Sequence, residues 1–142
     1  MAKVLRIVLA EDHPAVRRSL MYLLEKADGF QVVGVAEDGL MAVELARQHR
    51  PDVVVMDYVM PRMDGAEATR EIVRMCPSVR VLGFSWLDTQ EARQTMLQAG
   101  ATEFLVKGDS FSVLADAIRR TAGWQDPSGQ HNSRDGATPD RS

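Results

Sequence analysis

The chain of 142 residues contains a single cysteine, Cys76, so no disulfide can form within it and a reducing, cytoplasmic home is expected. Histidine is scarce too: His13, His49 and His131 lie far apart and match no zinc-ligand spacing. Neither sign of charge dominates, because 17 Lys+Arg against 20 Asp+Glu leave a formal charge of −3. Sequence-independent binding of nucleic acid needs a cluster of cations to displace counterions, and this balance argues against it. No apolar run approaches the roughly 18 residues of a spanning helix. The first apolar run is broken by Arg6, too short and too charged for a signal peptide. With 45% hydrophobic and 26% charged residues, the expectation is a soluble globular protein of one domain.

Two kinds of segment alternate along the chain. Residues 4–10, 32–36, 53–56, 79–84 and 104–106 are short runs rich in Val, Leu and Ile. Continuous apolar character, rather than in/out alternation, suits strands buried on both faces of a parallel sheet. Between them the apolar residues fall at helical spacing, as in Val16, Leu20, Leu23, Leu24 and Ala27, or Val113, Leu114, Ala117 and Ile118. Ala92, Met96 and Ala99 make a thinner stripe. Pro14 suits the first turn of a helix, while Asp28-Gly29 and Ala99-Gly100 are expected to close the first and fourth helices. About five strands alternating with about five helices imply an α/β fold with a doubly wound parallel sheet and helices on both faces. From Gly123 onward almost nothing apolar remains except Trp124, so residues 123–142 read as a disordered tail or the start of a linker after a domain over 1–122.

In an open parallel α/β sheet, ligands bind beyond the carboxyl ends of the strands. The polar residues at those ends are Glu11 and Asp12 after the first run, Asp57 after the third, Ser85 after the fourth and Lys107 after the fifth. Two carboxylates 4 Å apart repel by about 4 kcal/mol at an effective dielectric of 20, so three together call for a cation. Hard oxygen ligands without His or Cys favour Mg²⁺, or Mn²⁺. A carboxylate beside such a metal can attack a phosphoryl group to give an acyl phosphate, with Lys107 neutralising charge and Ser85 donating a hydrogen bond. Each residue also has a plainer reading: Asp12 as a helix N-cap, Asp57 as part of a turn, Lys107 as a solvated surface charge. The five together at four strand ends are far more specific than any one.

Glu11-Asp12, Met56-Asp57-Tyr58-Val59-Met60-Pro61 with Met63-Asp64-Gly65, Phe84-Ser85, and Phe104-Leu105-Val106-Lys107 resemble the receiver domain of bacterial two-component response regulators. The resemblance implies the flavodoxin-like fold with strand order 2-1-3-4-5. It implies Asp57 as phosphoacceptor, fed by a partner histidine kinase, in a signalling switch whose only chemistry is its own phosphotransfer and dephosphorylation. By the same resemblance Asp12, Asp57 and the backbone carbonyl of Val59 hold Mg²⁺, and Glu11 acts through metal-bound water. Lys107 pairs with the phosphoryl group, Ser85 swings in to bond it, and Phe104 turns inward as Ser85 moves. The output surface would be residues 89–99, 102–106 and 111–121. Asp12-His13-Pro14 and Lys107-Gly108-Asp109 resemble the NarL/LuxR-type regulators. That points to transcription regulation through a helix-turn-helix domain, the only expected route to DNA, and leaves room for a homodimer.

Three positions depart from the family's habit. Trp86 stands where a small residue is usual, and Val59 and Leu87 are apolar where polar residues often stand. A large indole beside the pocket is expected to slow phosphotransfer or lengthen the phosphorylated lifetime. A flavodoxin-like redox role is disfavoured because Glu11-Asp12 would repel a cofactor phosphate. A haloacid-dehalogenase-type phosphatase would need an Asp two residues after Asp57, where Val59 stands. The rival that remains is a receiver-like interaction module that works without phosphorylation.

Overall fold

The computed structural model describes residues 3–123; most of the tail expected over 123–142 lies outside them. Ten elements alternate: β1 (Leu5–Ala10), α1 (Pro14–Lys26), β2 (Phe30–Ala36), α2 (Gly39–His49), β3 (Val53–Met56), α3 (Gly65–Met75), β4 (Arg80–Ser85), α4 (Gln90–Ala99), β5 (Glu103–Val106) and α5 (Phe111–Ala122). All neighbouring strands pair in parallel, in the order β2-β1-β3-β4-β5. The strand runs imply the parallel sheet, and the resemblance to receiver domains implies this flavodoxin-like order.

Every residue of β3 is buried, as a central strand covered on both sides must be. Alternation along the strands then divides the core in two. Leu5, Ile7 and Leu9 of β1 join Leu24, Phe84, Leu114 and Ile118 on the face covered by α1 and α5. Val8 and Ala10 point the other way, to Ala42 and Ala46 of α2, Ile72 of α3 and Met96 of α4. The first face is filled by large side chains. The second is rich in alanine, so α2, α3 and α4 approach the sheet closely. Ile72 and Met96 are 0% exposed, and truncating either to alanine should cost about 2–5 kcal/mol.

Helix ends follow local chemistry, with two differences from expectation. Pro14 does open α1, but the N-cap is His13, whose Nδ1 accepts the Val16 N–H at 3.4 Å. Asp12 is therefore free of capping duty. Helix α1 stops at Lys26, with Ala27 already extended, and Gly29 (φ 90°) serves the turn into β2 rather than the helix end. Gly100 closes α4 in the left-handed conformation as expected. Helix α3 carries a capping box: Asp64 accepts from the Glu67 N–H while Glu67 accepts from the Asp64 N–H. No helix among the described residues is long and apolar enough to cross a membrane.

Candidate functional site

The backbone ladder runs one residue past three strands. Glu11 N–H donates to Ala36 O at 3.0 Å, Asp57 N–H to Ala10 O at 3.1 Å, and Lys107 N–H to Ser85 O at 2.8 Å. The sheet itself thus delivers Glu11, Asp57, Ser85 and Lys107 to one edge. There, carboxylate oxygens of Glu11, Asp12 and Asp57 lie within 4.8 Å of one another. Lys107 Nζ donates to Glu11 Oε1 and, at 3.2 Å, to Asp57 Oδ2. Glu11 is further held by the His13 N–H on Oε2 at 3.1 Å. From α1, Arg17 Nη1 donates to the carbonyls of Glu11 and Asp12, which pins the loop that carries both acids.

Three carboxylates and one ammonium leave two negative charges uncompensated. Glu11, Asp57 and Lys107 are buried while Asp12 faces solvent. Burial pushes the Asp57 carboxyl above the ordinary aspartate range; Lys107 opposes that rise and Glu11 adds to it. The site is a set of hard oxygen donors that a small divalent cation would neutralise, open on the Asp12 side. The residues present therefore fit Mg²⁺ or Mn²⁺.

The loop from Asp57 to Gly65 is shaped by contacts that leave no room for side chains. A Cβ on Gly65 would fall 2.0 Å from Asp57 O, and the Gly65 N–H closes the loop onto Tyr58 O at 2.7 Å. On the outside, Asp38 and Gly39 at the start of α2 receive the loop. Asp38 Oδ1 accepts the Met41 N–H at 2.8 Å, capping the helix, and Oδ2 accepts Arg62 Nε at 2.7 Å. The Gly39 N–H donates to Met63 O at 3.1 Å.

On the opposite side, Ser85 Oγ accepts the Leu87 N–H at 3.3 Å. Phe104 already lies inward, 3% exposed, in a slot that exists because its cross-strand partner is Gly83. A Cβ on Gly83 would sit 2.8 Å from Phe104 Cδ1. Arg93 of α4 covers the ring, its guanidinium 5.3 Å from the centroid and its Nη1 donating to Phe104 O at 3.2 Å. Inward packing of Phe104 thus coexists with a Ser85 hydroxyl engaged on its own loop. Trp86 is 64% exposed, and its ring centroid lies 5.8 Å from Lys107 Nζ; the Phe84 ring lies 5.6 Å from the same ammonium.

All five polar residues expected at the strand ends are therefore brought together, with Ser85 on the flank. Sequence reasoning missed Asp38, Arg62, Gly83 and Arg93, and it read Gly65 only within the Met63-Asp64-Gly65 match, without its close approach to Asp57 O. Only Asp38 carried a readable signal, an Asp before an apolar-periodic run, which is an N-cap signature.

The response regulator receiver domain family matches residues 7–119. The chain belongs to that family. As a receiver domain it is 44% identical over 115 residues to the transcriptional regulatory protein PdtaR of Mycobacterium tuberculosis, covering 80% of this chain and 54% of that protein. The chain spans about half the length of the curated relatives it matches. The signal receiver domain of the response regulator NarL from Mycobacterium tuberculosis superposes with a TM-score of 0.81 at 35% identity, covering 87% of this chain and 99% of that one. The receiver domain of sensor histidine kinase PA1611 from Pseudomonas aeruginosa PAO1, solved with a magnesium ion coordinated in its active site cleft, superposes with a TM-score of 0.74. It is 30% identical, with 84% of this chain and 98% of that chain covered.

Proposed function

We propose that this receiver domain is switched by phosphorylation of Asp57, with a histidine kinase as donor. The observation that carries the reading is the cluster of three carboxylates within 4.8 Å, with the Lys107 ammonium shared between Glu11 and Asp57. Asp12, Asp57 and the Val59 carbonyl would hold Mg²⁺, with Glu11 acting through metal-bound water; Mn²⁺ can replace it. When bound, the metal supplies positive charge against the oxygens of the transferring group. An Asp57 carboxylate oxygen forms a bond to phosphorus as the P–N bond of the donor phosphohistidine breaks, and the imidazole leaves with the electron pair. Lys107, already bonded to Asp57, neutralises charge on the phosphoryl oxygens. Ser85 donates a hydrogen bond to one of them through its hydroxyl hydrogen, which the bond accepted from the Leu87 N–H does not use.

The acyl phosphate adds charge and strong acceptor oxygens at one strand end. Reversing a two-state population from 1:99 to 99:1 needs about 5.5 kcal/mol, which two or three charge-assisted bonds approach. The responding surface is α4, β5 and α5, with Phe104 as the ring that couples Ser85 to it. The receiver unit extends over residues 1–122, works in the cytoplasm, and passes its signal to a helix-turn-helix output, as monomer or homodimer, for transcription regulation.

The test is intact mass after incubation with a small-molecule phosphodonor. One phosphoryl adduct that requires both Mg²⁺ and Asp57, and is absent in Asp57→Asn, is expected. No adduct on folded protein, beside a working control receiver, would overturn the reading in favour of a binding module that works without phosphorylation.

A further inference from the structure

Arg62 has a left-handed backbone, φ 67°, which costs a residue with a Cβ about 1–2 kcal/mol relative to the ordinary helical conformation. It sits in the middle of the loop that joins Asp57 to the capping box of α3. Glycine would adopt this conformation without strain, so something must be gained from the arginine side chain. Its Nε reaches Asp38 Oδ2 at 2.7 Å, across a sequence distance of 24 residues. Asp38 is 6% exposed and does two jobs, capping α2 through Oδ1 and receiving Arg62 through Oδ2. Both contacts hold its carboxyl below the usual aspartate range, the Met41 N–H contributing most. Beside the ion pair the two backbones nearly touch. The Gly39 N–H donates to Met63 O, and a Cβ on Gly39 would fall 2.1 Å from that oxygen.

The loop is therefore gripped at two adjacent points, by a side chain at Arg62 and by backbone at Met63, onto the first turn of α2. Between Asp57, where the loop begins, and the gripped Arg62 lies Val59 in sequence, 59% exposed. We propose that Asp38 and Arg62 form a positioning clasp, which sets the height of the Asp57–Gly65 loop over the sheet edge and thereby the divalent-cation affinity of the site. The inference rests on the reading that Asp12, Asp57 and the Val59 carbonyl hold the metal. Neither Asp38 nor Arg62 belongs to the carboxylate cluster that would hold the metal, so each would act through the loop backbone. Because α2 is packed on the sheet through Ala42 and Ala46, the clasp references the loop to a rigid element.

Charge alone predicts the opposite of positioning for one variant. Removing the Arg62 cation should tighten a divalent cation nearby if the effect is purely Coulombic. If the clasp positions the loop, Arg62→Ala weakens binding despite the lost positive charge. Binding of Mn²⁺ to the chain, followed by loss of the free-ion EPR signal, reads this directly and without phosphorylation.

Arg62→Ala and Asp38→Asn are each expected to weaken Mn²⁺ roughly three- to tenfold, somewhat less than the loss of a group bonded to a ligand. The double variant should be little worse than either single one, since both break one contact. Arg62→Lys should recover part of the affinity. Arg62→Gly relieves the backbone strain, so its melting temperature without metal should hold or rise while its Mn²⁺ affinity falls. A merely structural pair would lower both together. Asp12→Asn serves as the control that tests the site itself. If it abolishes Mn²⁺ binding while Arg62→Ala binds as tightly as the parent or tighter, the clasp is refuted and the metal site stands. If Asp12→Asn binds normally, the metal site is misplaced and the clasp falls with it.

Discussion

Replacing Asp57 by asparagine should make the metal-free domain more stable, although it removes an ion pair. At an effective dielectric of 20, the Lys107–Asp57 contact at 3.2 Å is worth about 5 kcal/mol of attraction. Against it stands Glu11, whose carboxylate is within 4.8 Å and repels Asp57 by about 3.5 kcal/mol or more. Asp12 adds about 1 kcal/mol if its exposed carboxylate is screened as in water. These charges nearly cancel. What decides the sign is burial: taking a carboxylate out of water costs several kcal/mol, and Asp57 is 7% exposed. The same imbalance raises its pKa.

Asp57→Asn keeps the shape and an acceptor for Lys107, and Lys107 keeps Glu11. The expected gain is about 1–3 kcal/mol, or about 3–10 °C in melting temperature for a domain of this size. A raised folded pKa means that the fold favours the protonated carboxyl, whose contribution is lost as pH rises through that value. The advantage of the variant is therefore largest at neutral pH and shrinks as pH falls and Asp57 itself becomes neutral. Adding Mg²⁺ should reverse the order, since a ligand at a thousand times its Kd stabilises the parent by about 4.1 kcal/mol. Denaturant melts with chelator and with excess Mg²⁺ measure both. An Asp57→Asn protein less stable than its parent in chelator would refute the reasoning, because Lys107 would then outweigh burial.

Gly65→Ala should cost about 2–4 kcal/mol and abolish the phosphoryl adduct, because its methyl meets backbone at Asp57 rather than a movable side chain; denaturant melts and intact mass check the two effects. The methyl of Gly83→Ala meets the Phe104 ring and the Met96 methyl first, so it should displace the ring for about 1–3 kcal/mol. The ring-current shift of the Met96 ε-methyl in an NMR spectrum would report the displacement. Asp38 has a lowered pKa, so its stabilisation is present above about pH 4 and is lost as pH falls through the folded value. The acid limb of the stability curve should accordingly be shallower in Asp38→Asn than in the parent. Trp86→Ala uncovers Lys107 and should speed phosphorylation by small donors, hydrolysis of the acyl phosphate, or both, in a time course of the adduct; unchanged rates would defeat the shielding role.

The strand ends were legible because buried parallel strands are written as unbroken apolar runs, so the first polar residue after each marks the sheet edge. That logic located Glu11, Asp57, Ser85 and Lys107 without any contact information. It fails where a role depends on something beyond its own segment. His13 takes the cap of α1 from Asp12 because of local chain direction, which residue preference alone does not encode. The inward Phe104 depends on Gly83, which meets it only through the β4–β5 register. Arg62 shows neither its left-handed backbone nor its partner 24 residues earlier in any pattern of spacing.

The ladder rungs beyond the strands have a mechanical consequence. Glu11, Asp57 and Lys107 have backbones tied into the sheet by the bonds to Ala36, Ala10 and Ser85, so the floor of the site is as stiff as the sheet. Work done there has nowhere to go through the floor. Any stroke must leave through the parts that are not rungs: the Ser85 hydroxyl, the Trp86–Thr89 connection and the Arg93-covered ring. The domain thus behaves as an anvil with one soft joint, and the direction in which it can transmit force is set by the side chains and the connection that follow β4, since the Ser85 backbone is itself tied to Lys107.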